Sequence, residues 1–318
     1  MRIALVTPAP SGSHVGNRVT AERWARRLRE LDHEVEIFET WRGEPADLLV
    51  AVHARKSFPS VERFARERPG APIVVALAGT DLYADLPAGD PSARAALDLA
   101  DRLVVLQPAA VGSLPEAARA KARVIRQSAE PPSTSRPKDP VRFEACALAH
   151  LRPVKDPFLA ARAVRLLPAG SRVVVLHAGG ALDPEMAEAA RAEAAANPRW
   201  QWLGELAPEV AGTLLSGCRL LLVTSKMEGG ANVVVEALAA GVPVLSTAVE
   251  GSIGQLGAGY PGLFPVGDAP ALAALLHRTE TEPAFLAELT SWCESLRSET
   301  APEREREAWR GLVGEMGG

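Results

Sequence analysis

The chain has 318 residues, 47% of them hydrophobic, with 35 Lys and Arg against 39 Asp and Glu and a formal net charge of −4. That balance excludes a general nucleic-acid or anionic-membrane binder, because phosphate-rich partners demand a basic surface. The length suits about two domains of roughly 150 residues each.

No apolar run approaches the length needed to span a bilayer. The N-terminal MRIALVTPAP has too short an apolar core for a signal peptide and reads as a first strand. Cys146, Cys218 and Cys293 are widely spaced with no metal-ligand pattern. Two of them sit in or beside apolar runs, which favours buried, reduced thiols and a cytoplasmic protein.

In chain order, Arg2–Thr7 is a short apolar strand followed by the turn PAPSGSHVGNRVT. Ala21, Trp24, Ala25, Leu28 and Leu31 then recur at helical spacing. Arg23, Arg26, Arg27 and Arg29 on that helix are interrupted by Glu22 and Glu30, so the arginines read as a solvated face. Val35–Phe38, Asp47–Val52, Ile73–Leu77, Leu103–Leu106 and Ala122–Gln127 read as strands, with helices near Phe58–Arg68 and Ala93–Ala100. Alternating helices and near-continuously apolar strands indicate a mainly parallel sheet covered on both faces.

The composition then turns to AEPPSTSRPKDP, which cannot build a core and is expected to link two domains. A second strand–helix array follows: FEACALA, RVVVLHA, RWQWLG, RLLLVTS and VPVLST, with helices near Pro157–Leu167, Pro184–Ala196, Pro208–Ser216 and Ala231–Ala240. The expected organisation is an N-terminal Rossmann-like domain over 1–130 and a linker over 131–140. A C-terminal Rossmann-like domain then covers 141–300, and a last helix covers 301–318. The segment Glu303–Val313 suits either a helix crossing back to the N-terminal domain or an ordinary C-terminal helix.

The most informative stretch is SKMEGGANVVVEALAAGVPVLST, Ser225 to Thr247. An apolar strand feeds a turn with Gly229 and Gly230, then a helix, then a second strand. Such a helix start is an anion site, because unpaired backbone N–H groups and the helix dipole point at the ligand. Glu236, on the same helix face as Asn232, suits sugar hydroxyls rather than phosphate. A site that wants both implies a nucleotide or a nucleotide sugar.

Other strand ends supply further candidates, since ligands of open α/β sheets sit outside the carboxyl ends of the strands. Gly16, Asn17 and Arg18 follow the first strand and suit an anion at a helix start. His53 and Arg55 follow Val52, and Gly79, Thr80 and Asp81 follow Leu77. A lone histidine is more often a structural hydrogen-bonder, and an Asp after Gly-Thr is as readily a cap as a ligand. Arg152 and Lys155 flank a proline turn and suit a diphosphate, by a two-pronged guanidinium and a mobile ammonium. His177, before AlaGlyGly, reads as local structure.

EGGANVVVEALAAGVPVLST, with Glu228 and Glu236 at E-x7-E spacing, resembles the GT-B glycosyltransferases of the large family containing sucrose and glycogen synthases. The resemblance implies an α/β GT-B fold, two Rossmann-like parallel-sheet domains facing each other across a cleft. It implies donor binding by Gly204, Glu205, Met227, Glu228, Gly229, Gly230, Ala231, Asn232 and Glu236, with Glu236 on the ribose. LRPVKDP, with Arg152 and Lys155 closer together than in most relatives, is similar to a narrower group, as are TPAPSGSHVGNRVTAERWARRL, VHARKS and ALAGTDLY. Those segments look like the selenosugar synthases of selenoneine biosynthesis, which join a UDP-sugar such as UDP-N-acetylglucosamine to selenium supplied as selenophosphate.

On that resemblance His53, Arg55, Asp81, Arg152 and Lys155 are the catalytic set, and Gly16, Asn17, Arg18, Gly79 and Thr80 bind the acceptor. The partners implied are small-molecule substrates, a UDP-sugar and selenophosphate, with neither nucleic acid nor membrane. No D-x-D pair and no metal-spaced cluster occurs, so no cofactor and no metal are expected. The alternatives are an ordinary retaining glycosyltransferase with a hydroxyl acceptor, or a non-catalytic nucleotide-sugar sensor.

Overall fold

The computed structural model describes residues 1–316; the last two residues of the expected 301–318 segment lie outside them. The chain divides into two compact units. The first comprises Met1–Ser128, the short strip Glu228–Asn232 and the chain from Ala301 onward, and the second comprises Ala129–Met227 and Val233–Thr300.

The first unit is built on β1 (Arg2–Val6), β2 (Glu34–Phe38), β3 (Leu48–Val52), β4 (Ile73–Ala76), β5 (Arg102–Val105) and β6 (Ala122–Val124), in the order β2-β1-β3-β4-β5-β6. Its helices are α1 (Gly16–Arg29), α2 (Ala54–Glu67), α3 (Pro91–Leu99) and the single turn α4 (Glu116–Arg119). The second unit carries β7 (Phe143–Leu148), β8 (Val173–Ala178), β9 (Trp200–Trp202), β10 (Leu220–Val223), β11 (Val244–Thr247) and β12 (Leu263–Phe264), in the order β12-β11-β10-β7-β8-β9. Its helices are α5 (Leu159–Arg165), α6 (Pro184–Ala196), α7 (Pro208–Gly217), α8 (Asn232–Ala240), α9 (Glu250–Leu256), α10 (Ala269–Thr281) and α11 (Pro283–Arg297). The last helix, α12 (Pro302–Gly314), belongs to the first unit.

Every described strand pairing is parallel. A parallel pair needs a crossover, so both faces of each sheet are covered, which is why the inner strands β3, β4 and β10 are apolar throughout while the edge strands β2 (EVEIF) and β6 (ARV) keep charged residues. In the first unit the alternation along each strand is visible in the two cores. Ala4, Val6, Leu49, Ala51, Val75 and Leu103 face Val61 and Phe64 of α2 and Ala93, Ala96 and Leu97 of α3. Ile3, Leu5, Leu48, Val50, Val74 and Val104 face Ala21, Trp24, Ala25 and Leu28 of α1 together with Trp309, Leu312 and Val313 of α12. Trp24 and Trp309 meet edge to face at 5.0 Å, a favoured aromatic geometry.

Two expectations are corrected by this packing. Arg23 and Arg27 are not on a solvated face: they are only 7% and 4% exposed. The reason is α12, whose Glu305 carboxylate is buried against α1 and gives Arg23 a partner. The helix expected from Phe58 begins four residues earlier, at Ala54, with Pro59 accommodated inside it. The segment read as a linker carries no regular structure, and Arg136 within it donates to the buried Glu144 carboxylate at 2.6 Å. All three cysteines are free and buried. Among the described residues no helix is long and apolar enough to cross a membrane.

Candidate functional site

Both sheets reverse their winding at one point. In the first, β1 feeds outward to β2 while the chain returns to β3 on its other side; in the second, β7 has β8 on one side and β10 on the other. Crossovers on opposite faces leave a crevice at the carboxyl ends of the strands flanking such a switch point. The loops and helix starts after β1 and β3 carry Gly16–Arg18 and His53–Arg55, and those after β7 and β10 carry Arg152–Lys155 and Met227–Asn232. The topology therefore collects most of the sequence candidates at these two switch points.

In the first unit, α1 starts at Gly16 with no side-chain cap and no acidic residue in its first turn. Its N-terminal partial positive charge is left for an outside anion. Arg18 Nε is held by Glu22 at 2.7 Å. A cavity of about 390 Å³ opens beside this turn, lined by Ser11, Arg18, Phe38, Glu39, Thr40 and Arg42. Its charged lining is mixed: Arg18 and Arg42 are cationic, while the Glu39 carboxylate accepts the Ser11 N–H at 3.0 Å.

His53 directly follows β3 and caps α2, with a positive φ of 75°. The Lys56 N–H approaches Nδ1 at 3.4 Å and Nε2 stands 2.9 Å from Thr80 Oγ1. That pattern assigns the proton to Nε2, which donates to the exposed Thr80 hydroxyl. Burial lowers the His53 pKa, with Asp81 opposing that shift. Asp81 is fully buried: Oδ1 accepts the N–H groups of Ala78, Gly79 and Leu82 at 2.9–3.0 Å, and Oδ2 accepts that of Ala54 at 2.9 Å. Four backbone donors occupy the carboxylate, which clamps the β4 turn to the start of α2. Asp81 also opens a π-helical turn, Asp81–Asp85, a rare form that recurs at functional sites and has no sequence signature. Its far end, Asp85, pairs with Arg55 at 2.8 Å.

The strip Glu228–Asn232 packs on this same unit. A Cβ on Gly229 would stand 2.7 Å from Ala78 O and from Gly79 Cα, and one on Gly230 would stand 2.8 Å from Leu106 Cβ. The expectation set these glycines against a ligand; in the structure Gly229 lets two stretches of backbone meet, and Gly230 packs against the Leu106 and Gln127 side chains. The Asn232 side chain is engaged by α1, accepting from Arg23 Nη1 at 2.7 Å.

In the second unit Arg152 and Lys155 lie on a 3-10 turn after β7. The turn is stitched to the end of β10: Lys226 N donates to Val154 O and Thr224 Oγ1 to Lys155 O, both at 2.8 Å. Thr247 Oγ1 at the end of β11 donates to Ser225 O at 2.6 Å. Arg152 is exposed. Its guanidinium has no hydrogen-bond or ion-pair partner among the described residues. Glu236 lies one turn into α8, half-buried. Gly204 has a φ of 71° and its carbonyl accepts the Gly179 N–H at 2.7 Å. The Glu205 carboxylate lies over Gly180, where a Cβ would come within 2.9 Å. His177 is structural: Nε2 is 2.9 Å from Ala149 O, and burial lowers its pKa to about 4. Among the described residues no three His, Cys, Asp or Glu are grouped to hold a metal ion.

Two doubly wound parallel sheets with these loops define the GT-B class of fold. It is shared with Anabaena HepE in complex with UDP, at a TM-score of 0.79 and 16% identity, covering 99% of this chain and 100% of that one. Sucrose-phosphate synthase from Thermosynechococcus elongatus matches at a TM-score of 0.79 and 16% identity, over 99% of this chain and 98% of that one. A UDP-forming α,α-trehalose-phosphate synthase from Burkholderia vietnamiensis matches at 0.69 and 14% identity, over 93% and 75%. The chain belongs to the family of glycosyl transferases group 1, whose model matches residues 133–291, half of its length. No curated relative matches the sequence.

Proposed function

We propose that this glycosyltransferase transfers a sugar from a UDP-sugar, UDP-N-acetylglucosamine being the specific donor inferred, to selenophosphate. The observation that carries the donor half is the exposed Arg152, unpartnered among the described residues, beside Lys155 on a turn fixed to the end of β10. A guanidinium fork and an ammonium held at a switch point suit a diphosphate whose charge grows as the glycosidic C–O bond breaks. Anabaena HepE, which has this fold, is seen in complexes with UDP and with UDP-glucose, in keeping with that reading. Glu236 accepts from the ribose hydroxyls, and the N–H groups around Gly229 to Asn232 face the diphosphate.

The acceptor half rests on the uncapped start of α1 and on Arg18 and Arg42 beside it. Selenophosphate is small, strongly anionic and already nucleophilic, so it needs charge and orientation more than a strong base. Its selenium forms the new bond to the anomeric carbon while the bond to UDP breaks. Water then cleaves the Se–P bond of the product, giving the selenosugar and phosphate. In this scheme the His53–Thr80 pair orients the acceptor by donation from the Thr80 hydroxyl, Arg55 adds positive charge, and Asp81 fixes the turn that carries Thr80.

The test incubates the protein with a panel of UDP-sugars and enzymatically made selenophosphate, following UDP release and product mass. A selenium-containing sugar product is expected. UDP release with sugar or glycan hydroxyls and none with selenophosphate would replace the acceptor and keep the donor; UDP-sugar binding without turnover would make the protein a sensor.

A further inference from the structure

The geometry points to Arg23 as a positioning residue for the donor strip, acting through the side chain of Asn232 and itself held by Glu305. Arg23 is buried on α1, and its Nε lies 3.1 and 3.2 Å from the two oxygens of Glu305. Its Nη1 donates to Asn232 Oδ1 at 2.7 Å, and Nη2 is buried with no hydrogen-bond partner among the described residues. The Glu305 carboxylate is completed by Trp24 Nε1 at 2.8 Å and Ser128 Oγ at 2.5 Å. The Asn232 amide nitrogen points back to Gly16 O and Thr20 Oγ1 at 3.3 and 3.4 Å. Because arginine has only donors, Oδ1 must face Arg23, so the orientation of this amide is fixed by its neighbours.

Taking an arginine and a glutamate out of water is costly, and an apolar pair of similar volume would serve packing as well or better. Salt bridging to Glu305 also needs only part of the guanidinium fork. The second prong, on Asn232, is what an apolar pair could not supply. Asn232 is the first residue of α8 and directly follows Gly229, Gly230 and Ala231. Anchoring its side chain therefore fixes the direction of the backbone N–H groups that precede and open the helix. This inference rests on the reading of that strip as the diphosphate site. It moves Asn232 from a direct ligand to a link between α1 and the strip.

Lys retains a charge for Glu305 but cannot hold both partners in a rigid fork. UDP binding by titration calorimetry, steady-state KM and kcat, and thermal melting should be compared for wild type, Arg23→Lys, Asn232→Ala and the double variant. Asn232→Ala leaves the Arg23–Glu305 pair intact, and so serves even if Arg23→Lys fails to fold. Each single variant is expected to weaken UDP binding at least tenfold and to raise the donor KM, with the acceptor KM unchanged. The double variant should be no weaker than the worse single one, since residues acting in series are non-additive. Unchanged UDP affinity in Asn232→Ala, or in a folded Arg23→Lys of lowered melting temperature, would reduce the network to a structural role, as would fully additive losses. Failure of the wild type to bind UDP would instead remove the donor site itself, and the inference with it.

Discussion

Gly79 and Gly229 lie backbone against backbone: a Cβ on Gly79 would stand 2.9 Å from Gly229 N, and one on Gly229 2.7 Å from Gly79 Cα. Neither neighbour is a flexible side-chain tip, and Gly79 also has a φ of 131°, where L residues are strained. Gly229→Ala is therefore expected to separate the two turns, costing about 1–3 kcal/mol of stability and most of the donor turnover. Gly311→Ala on α12 is the control: no atom of a described residue crowds its added Cβ within 4 Å, and the change should stabilise by about 0.5–1 kcal/mol. Urea denaturation with parallel UDP-release rates checks both.

Arg152→Ala should leave stability within about 0.5 kcal/mol, as expected for an exposed side chain with no partner among the described residues. Donor turnover should fall about 100-fold or more if its guanidinium stabilises the departing diphosphate, the scale seen when a fixed transition-state donor is removed. Arg152→Lys should recover only part of that loss. With Arg152 and Lys155 in this role, overnight dialysis against EDTA should not alter the rate; a rate restored only by added divalent metal would reassign the charge stabilisation.

His177 has its pKa lowered to about 4 by burial, against an ordinary 6.5. Below pH 6.5 the unfolded chain binds a proton that the folded chain refuses, so this residue makes folding less favourable as pH falls from 6.5 towards 4. The difference reaches about 2 kcal/mol at pH 5. His177→Gln should be less stable than wild type at pH 7 but lose less on acidification. Equal acid slopes for the two proteins, from denaturant melts at pH 7 and 5, would refute the assignment.

Trp309→Ala should cost about 3–5 kcal/mol, the usual scale for emptying a buried aromatic site. Trp309 is fully buried against Trp24, and its ring N–H has no hydrogen-bond partner among the described residues. Trp309→Phe removes that unsatisfied donor along with some volume and should cost less than half as much, measured by chemical denaturation.

The strands that form the two sheets were legible because burial on both faces writes continuous apolar runs, as in LLVAV and LLLV. β12 was not, since two residues after a Gly- and Pro-rich turn carry no period. Pro59 obscured the start of α2, and with it the capping of that helix by His53. Arg152, Lys155, Gly229, Gly230 and Glu236 stood out through local spacing beside strand ends. Arg23 did not, because the residue that buries it, Glu305, lies 282 positions away. A helical wheel gives the face of a residue on its own helix and says nothing of a second helix that covers that face.

The placement of α12 also sets an order of events during synthesis. Residues 1–128 leave the ribosome first, yet the face of their sheet lined by Ile3, Leu5 and Val50 is closed by Trp309, Leu312 and Val313. At about 5–20 residues per second, the nascent first unit must wait roughly 10–40 s for the segment that completes it. Through that interval Trp24 and its apolar neighbours lack their cover, while the second unit emerges behind them. Translation speed and holding chaperones should therefore govern the yield of this protein more strongly than its final stability does.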